Sequence, residues 1–233
     1  VSRTLSNPVV VSESTRRRVA DAVKATGYRI NHAARNLRTQ RAHSVLVLLP
    51  DLANPFFSAI LEGISRVLAR QGYSMLIAST QHVHDSGERL IDYLDDARAD
   101  GMIVFDGGLE TDVVEMLAAA SQAERILFAC EWVEDANFPS VRCENRTGTR
   151  IAVNHLYGLG HTKIAHITGP IGNVLGQTRK EAFVAELADL GLELKAEWIM
   201  TGDFTLAAGC LAAQEWIAMN DRPTAVFCAS DQL

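Results

Sequence analysis

The chain has 233 residues, 48% hydrophobic and 21% charged, with a formal net charge of −6. That is ordinary globular composition, long enough for a large buried core. No stretch approaches the ~20 uninterrupted apolar residues that a membrane span requires. No apolar run of an export signal opens the chain, and residues 13–18 read Glu-Ser-Thr-Arg-Arg-Arg, so a cytoplasmic location is expected. Cys130, Cys143, Cys210 and Cys228 form no Cys-x-x-Cys pair and have no His at metal-ligand spacing, so reduced thiols are expected, with neither metal nor cofactor.

The net charge hides an asymmetry. Residues 1–43 hold nine Lys/Arg against two acids, a net of +7, and the remainder holds thirteen against twenty-six, a net of −13. A basic head on an acidic body points to a polyanion partner at one end only. The first element is a helix starting after Ser12, with Val19, Ala22 and Val23 on one face, Glu13 in its first turn and Gly27 at its end.

Beyond residue 44, apolar runs predict strands at 45–49, 74–78, 101–105, 126–130, 163–167, 198–201 and 225–229. Helical periodicity predicts helices at 57–71, 86–98, 111–121, 147–157, 178–190 and 206–219. In the first of these, Ile60, Leu61, Ile64, Val67 and Leu68 fall at helical spacing and Gly72 stops the run. Such alternation demands parallel sheets with crossover helices, and the Val-Leu-Val-Leu-Leu run at 45–49 reads as a strand buried on both faces. The fold class is α/β. In open parallel sheets ligands sit at strand carboxyl ends, here the loops after residues 49, 105, 130, 167, 201 and 229.

Several segments in register carry a family resemblance. Val1-Ser-Arg-Thr-Leu-Ser-Asn7, Val11-Ser-Glu-Ser-Thr-Arg-Arg-Arg-Val19 and Gly27-Tyr28 resemble the end of the helix-turn-helix headpiece of the lactose/galactose repressor family. Asn31-His-Ala-Ala-Arg-Asn-Leu37 resembles its hinge helix, and Asp51-Leu-Ala-Asn-Pro-Phe-Phe57 the opening of its core. The similarity continues through Gly158-Leu-Gly-His-Thr-Lys-Ile164, Gly202-Asp-Phe204, Pro223-Thr-Ala-Val-Phe-Cys228 and Ser230-Asp231. Phe105-Asp-Gly-Gly, Ala129-Cys-Glu-Trp and Gly202-Asp-Phe-Thr are similar to nucleoside- and purine-sensing members.

The resemblance implies a partial helix-turn-helix headpiece over 1–30 and a hinge helix and linker over 31–43. Over 44–233 it implies a periplasmic-binding-protein-like effector core of two parallel-sheet subdomains, with the C-terminal part missing. The implied function is a repressor, working as a homodimer, whose grip on operator DNA is modulated by a nucleoside or, alternatively, a sugar.

On the DNA side, Ser2 and Arg3 lie in what survives of the recognition helix, and Arg3 reaches either a guanine edge or a phosphate. Of the three successive arginines only one or two can face phosphate; Arg16 is taken as one. Asn31, Ala34, Arg35 and Leu37 belong to the hinge, where Asn31 is either a DNA contact or simply the helix cap. The family resemblance implies that Leu37 wedges into the minor groove, which an apolar residue in so polar and basic a stretch favours over the bland alternative of ordinary packing.

On the effector side, Phe56 is taken as a stacking ring. Phe57 reads either as a second contact or, preferably, as the first core residue of the next helix. Phe204 is either the opposed ring or core. Arg179 offers an oriented guanidinium fork to hydroxyls, and Glu131, Trp132 and Asp231 lie at or beside strand ends. Asp231 reads equally as a helix cap, and Trp132 either lines the cleft or covers it from outside.

An enzyme is the first rival. Gly169-Pro-Ile-Gly-Asn-Val-Leu-Gly176 sits where a phosphate loop would, but it is neither G-x-G-x-x-G nor a P-loop, and no catalytic motif appears. The second rival, a periplasmic sugar-binding protein, would have no use for the basic head.

Overall fold

The computed structural model describes Thr4, residues 8–28, residues 41–80, His82 and residues 89–233. It divides into two compact units, 1–42 and 43–233, each described by itself below. No described helix is long and apolar enough to cross a membrane.

In the first unit, α1 spans Glu13–Thr26 and ends at Gly27, whose φ of 63° lies in the left-handed region that closes a helix without steric cost. The helix buries no residue. Ser2 and Arg3, and the hinge residues Asn31, Ala34, Arg35 and Leu37, lie outside the described residues.

The second unit is α/β with two parallel sheets. In chain order its elements are β1 (Ser44–Leu49), α2 (Phe56–Arg70), β2 (Ser74–Ser79), α3 (Asp92–Asp95), β3 (Gly101–Val104), α4 (Thr111–Ala119), β4 (Ile126–Ala129) and β5 (Ser140–Val141). There follow α5 (Asn145–Gly158), β6 (Ile164–Thr168), α6 (Val174–Asp189), β7 (Ile199–Thr201), α7 (Leu206–Ala218) and β8 (Ala225–Cys228). The first sheet has the order β2-β1-β3-β4-β5 and the second β7-β6-β8, every pairing parallel.

The central strand β1 is apolar from Val45 to Leu49 because helices cover both faces. In β1, Leu46 and Leu48 pack with Leu94, Met102, Val104, Leu117, Ile126 and Phe128, while Val47 and Leu49 face Phe57, Phe105, Ile60 and Ile64. The period of two is thus present in the packing although hidden in the letters. In β6, Ile164 packs with Val153, Phe183 and Leu187, and Ala165 and Ile167 meet Trp198 and Trp216 on the other face.

Several boundaries differ from the sequence expectation. α6 starts at Val174 rather than 178 because Asn173 caps it, its Oδ1 accepting the N–H groups of Leu175 and Gly176 at 3.0 Å each. α5 starts at Asn145 rather than 147. Of the helix expected over 86–98, the described residues hold only the single turn Asp92–Asp95, and Ala97 beyond it has a φ of 51°, which cannot continue a helix. β5 was not expected, and two residues carry no periodicity to find.

Candidate functional site

In the first sheet β1 lies between β2 and β3, so the chain runs outward from it in opposite directions, and a crevice opens above β1 and β3 where the connections diverge. β6 plays the same part in the second sheet. A cleft of about 680 Å³ is lined from both. The first sheet supplies Pro50, Asp51, Asn54 and Phe56 after β1, Phe105 and Asp106 after β3, and Cys130 and Glu131 after β4. The second supplies Asn173, Arg179, Asp203, Phe204, Ser230 and Asp231.

Six of the seven expected effector residues line this cleft: Phe56, Phe57, Glu131, Arg179, Phe204 and Asp231. Phe56 is 47% exposed and Phe57 only 7%, the two rings meeting edge-on at 5.2 Å. Phe57 then meets Phe105 edge-on at 5.6 Å, so it serves the core while touching the cleft. Trp132 is not among the lining residues; the Arg142 guanidinium sits over its ring at 4.4 Å.

Two non-glycine residues with positive φ aim side chains at the site. Phe204, at φ 63°, lays its ring on Gly169: a Cβ there would fall 2.2 Å from the Phe204 Cζ. Cys130 has φ 64° and lies in a three-residue turn, with the Glu131 N–H donating to the Ala129 carbonyl at 2.8 Å. Such conformations cost on the order of 1–3 kcal/mol and persist only where surroundings hold them.

The polar lining is tightly held. Arg179 donates through Nε to Asn145 Oδ1 at 2.9 Å and through a terminal nitrogen to the Ala229 carbonyl. Burial pulls its pKa below the ordinary guanidinium value, against the opposing pull of Cys143, Glu131 and Asp231. The buried Glu131 carboxylate accepts from the Gly107 N–H and from Asn173 Nδ2, each at 2.8 Å; burial raises its pKa while those bonds oppose the rise. Asp106 accepts from Thr80 Oγ1 at 2.5 Å and from the Gly108 N–H at 2.9 Å. Among the described lining residues, Asp51, Asp106, Glu131, Glu144, Asp203 and Asp231 are acidic and Arg179 is the one base. Such a cleft offers acceptors and a negative field to a hydroxyl- or amine-bearing ligand and repels a phosphate.

Sequence reasoning missed Asn54, Asp106, Asn145 and Asn173. Asn54 and Asn173 did carry a signal, an Asn just before a helix: Asn54 Oδ1 accepts the Phe56 N–H at 3.0 Å.

On α1, Arg16 and Arg17 both pair with Glu13 at 3.3 Å, through side chains 44% and 77% exposed. Exposed pairs of this kind hold weakly, so both guanidiniums stay free to exchange partners.

Residues 42–233 match the family described as periplasmic binding proteins and sugar binding domain of LacI family. The chain is 35% identical over 231 residues to the HTH-type transcriptional repressor CytR of Escherichia coli strain K12, covering 99% of this chain and 67% of that protein. It is 29% identical over 234 residues to the HTH-type transcriptional repressor PurR of Vibrio cholerae serotype O1, covering 100% and 69%. Among solved structures, the Lac repressor dimer bound to operator and the anti-inducer ONPF superposes with a TM-score of 0.82 at 24% identity, covering 99% and 69%, which speaks for the fold alone. A complex of the transcriptional regulator CelR with cellobiose matches with a TM-score of 0.69 at 26% identity, covering 97% and 68%.

Proposed function

Since this chain belongs to the LacI family, sharing its effector-binding core over residues 42–233, we propose that it is a DNA-binding transcription repressor whose cleft takes an uncharged nucleoside. The observation that carries the effector reading is the lining itself: exposed Phe56 and the Phe204 ring stand at the two sheets' carboxyl edges, with Arg179 and six carboxylates around them. Aromatic faces suit a planar base. The carboxylates and the guanidinium suit ribose hydroxyls, and the negative field selects against a 5′-phosphate.

Repression requires a duplex-binding end. The basic segment 1–43 and the arginines of α1 supply the phosphate-neutralising charge, with Ser2, Arg3 and Arg16 in the headpiece and Asn31, Ala34, Arg35 and Leu37 in the hinge. As a dimer, the protein would place two such ends on one operator, and effector and operator would influence each other reciprocally by about 1–3 kcal/mol. The chemistry of the cleft is binding, not turnover.

A sugar is the second reading, favoured by the same carboxylate-rich lining, since sugars also stack on rings. Calorimetry of the full-length protein against cytidine, adenosine, cytidine monophosphate, ribose and a hexose panel separates them. A nucleoside should bind at least about tenfold more tightly than its monophosphate, since one unscreened like charge is worth about 1.4 kcal/mol or more in a partly buried site. Binding to a hexose alone would overturn the nucleoside reading. No affinity for promoter DNA at low salt would overturn the repressor reading.

A further inference from the structure

Glu131 and Asn173 face each other from opposite sides of the cleft. Glu131 follows β4 of the first sheet, and Asn173 stands between β6 and α6 of the second. Glu131 Oε2 accepts the Gly107 N–H at 2.8 Å, and Oε1 accepts Asn173 Nδ2 at 2.8 Å. The other end of the Asn173 amide is committed: its Oδ1 accepts the Leu175 and Gly176 N–H groups. The amide therefore cannot flip without uncapping α6, and it can present only a donor to Glu131.

We propose that Glu131 and Asn173 form a clasp across the cleft, in which Glu131 acts as a positioning residue: through Asn173 it holds the first turns of α6, and with them Arg179, at the separation the effector needs. The proposal deepens the effector reading above and rests on it. Effector hydroxyls then meet a guanidinium whose place relative to the Phe56 edge is set by a side-chain bond between the two sheets, and closure or opening of the cleft must work against that bond.

Three features on the first sheet are built around it. The positive φ of Cys130 and the turn from Ala129 to Glu131 direct the carboxylate inward rather than along the strand. Gly107 is bare because a Cβ would fall 2.5 Å from the Trp132 carbonyl and 3.1 Å from the Glu131 Cβ, and this closeness brings its N–H onto the carboxylate. Glu131 is only 8% exposed, so a partner lost there is not readily replaced by water. On the second sheet, Arg179 lies within the helix that Asn173 caps and is fixed further by Asn145 and the Ala229 carbonyl.

The fixed polarity makes the clasp testable by exchange. Asn173→Asp keeps an oxygen for the α6 cap but sets a second carboxylate against Glu131. Glu131→Gln keeps one acceptor but must turn an N–H toward either the Gly107 N–H or Asn173 Nδ2. In the double variant, Glu131→Gln with Asn173→Asp, the glutamine oxygen accepts from Gly107 and its N–H donates to the new carboxylate across the cleft. The bond re-forms with donor and acceptor exchanged and the formal charge unchanged.

In the full-length protein without ligand, amide exchange by mass spectrometry over 106–108 and 169–173 should rise several-fold in each single variant and return toward wild type in the double. Cytidine affinity by calorimetry should fall about tenfold or more in each single variant, the scale of a charged hydrogen bond lost in a buried site, and recover in the double. Unchanged exchange in the single variants, or a double variant as perturbed as either, overturns the clasp whatever the effector. Altered and rescued exchange with unaltered cytidine affinity overturns the positioning role. If the wild type binds no cytidine, the effector reading falls, and the exchange result still decides the clasp.

Discussion

Acidification should destabilise the protein through one residue, His166. It sits in the middle of β6 with no exposed surface, its ring stacked against Phe183 at 4.9 Å and against Phe227 at 5.0 Å. Nδ1 donates to the Phe227 carbonyl at 2.8 Å, and Nε2 is a buried atom without a hydrogen-bond partner among the described residues. Burial, aided by the positive charges of Lys180 and Arg179, holds its pKa down to about 4 against an ordinary 6.5. The neutral ring is therefore the folded form, while the unfolded chain takes up a proton near 6.5. The contribution is complete above the unfolded value and is lost as pH falls from there toward about 4, because in that window the unfolded state binds more protons. The whole gap is worth ~3 kcal/mol at about 1.36 kcal/mol per pH unit, of which ~2 kcal/mol is reached by about pH 5. Urea denaturation at about pH 7.5 and about pH 5 measures it, with His166→Phe as the non-titrating comparison. The stability gap between wild type and variant should shift by ~2 kcal/mol across that range, against wild type at the acid end. Parallel pH curves for the two proteins would refute the reasoning, as would an imidazole that titrates near 6.5 by NMR in the folded state.

Two further perturbations address the cleft. In Gly169→Ala the new methyl would lie 2.2 Å from the Phe204 ring, which must swing away; nucleoside affinity by calorimetry should drop by about tenfold or more, since a stacked ring contributes about 1–3 kcal/mol, and an unchanged affinity removes Phe204 from the site. Arg179→Lys replaces a planar fork by a single ammonium that cannot serve both Asn145 and the Ala229 carbonyl. Urea denaturation should show about 1–3 kcal/mol lost even without ligand, while an unchanged midpoint would mean that the guanidinium's bonds are not structural.

The cleft lining was legible in the sequence where a residue's place along the chain puts it at the carboxyl end of a strand. Phe56 after the first strand is named by position, because loops at the carboxyl ends of parallel strands converge, whereas Arg179 on the helix after β6 is named by the family resemblance; both line the cleft. Trp132 was not settled that way: one residue beyond Glu131, it leaves the cleft lining and stacks with Arg142, and only the turn at Cys130 decides which of the two neighbours faces in.

The alternation of apolar runs with amphipathic segments determined by itself that the body is α/β and its sheets parallel, since local periodicity dictates which faces must be buried. The charge split likewise stood in the letters. Which strands neighbour which, and that Glu131 reaches Asn173 across the cleft, were decided only by the tertiary structure. Those pairings join residues far apart in the chain through backbone turns and buried polar atoms, and no local pattern encodes where such groups meet.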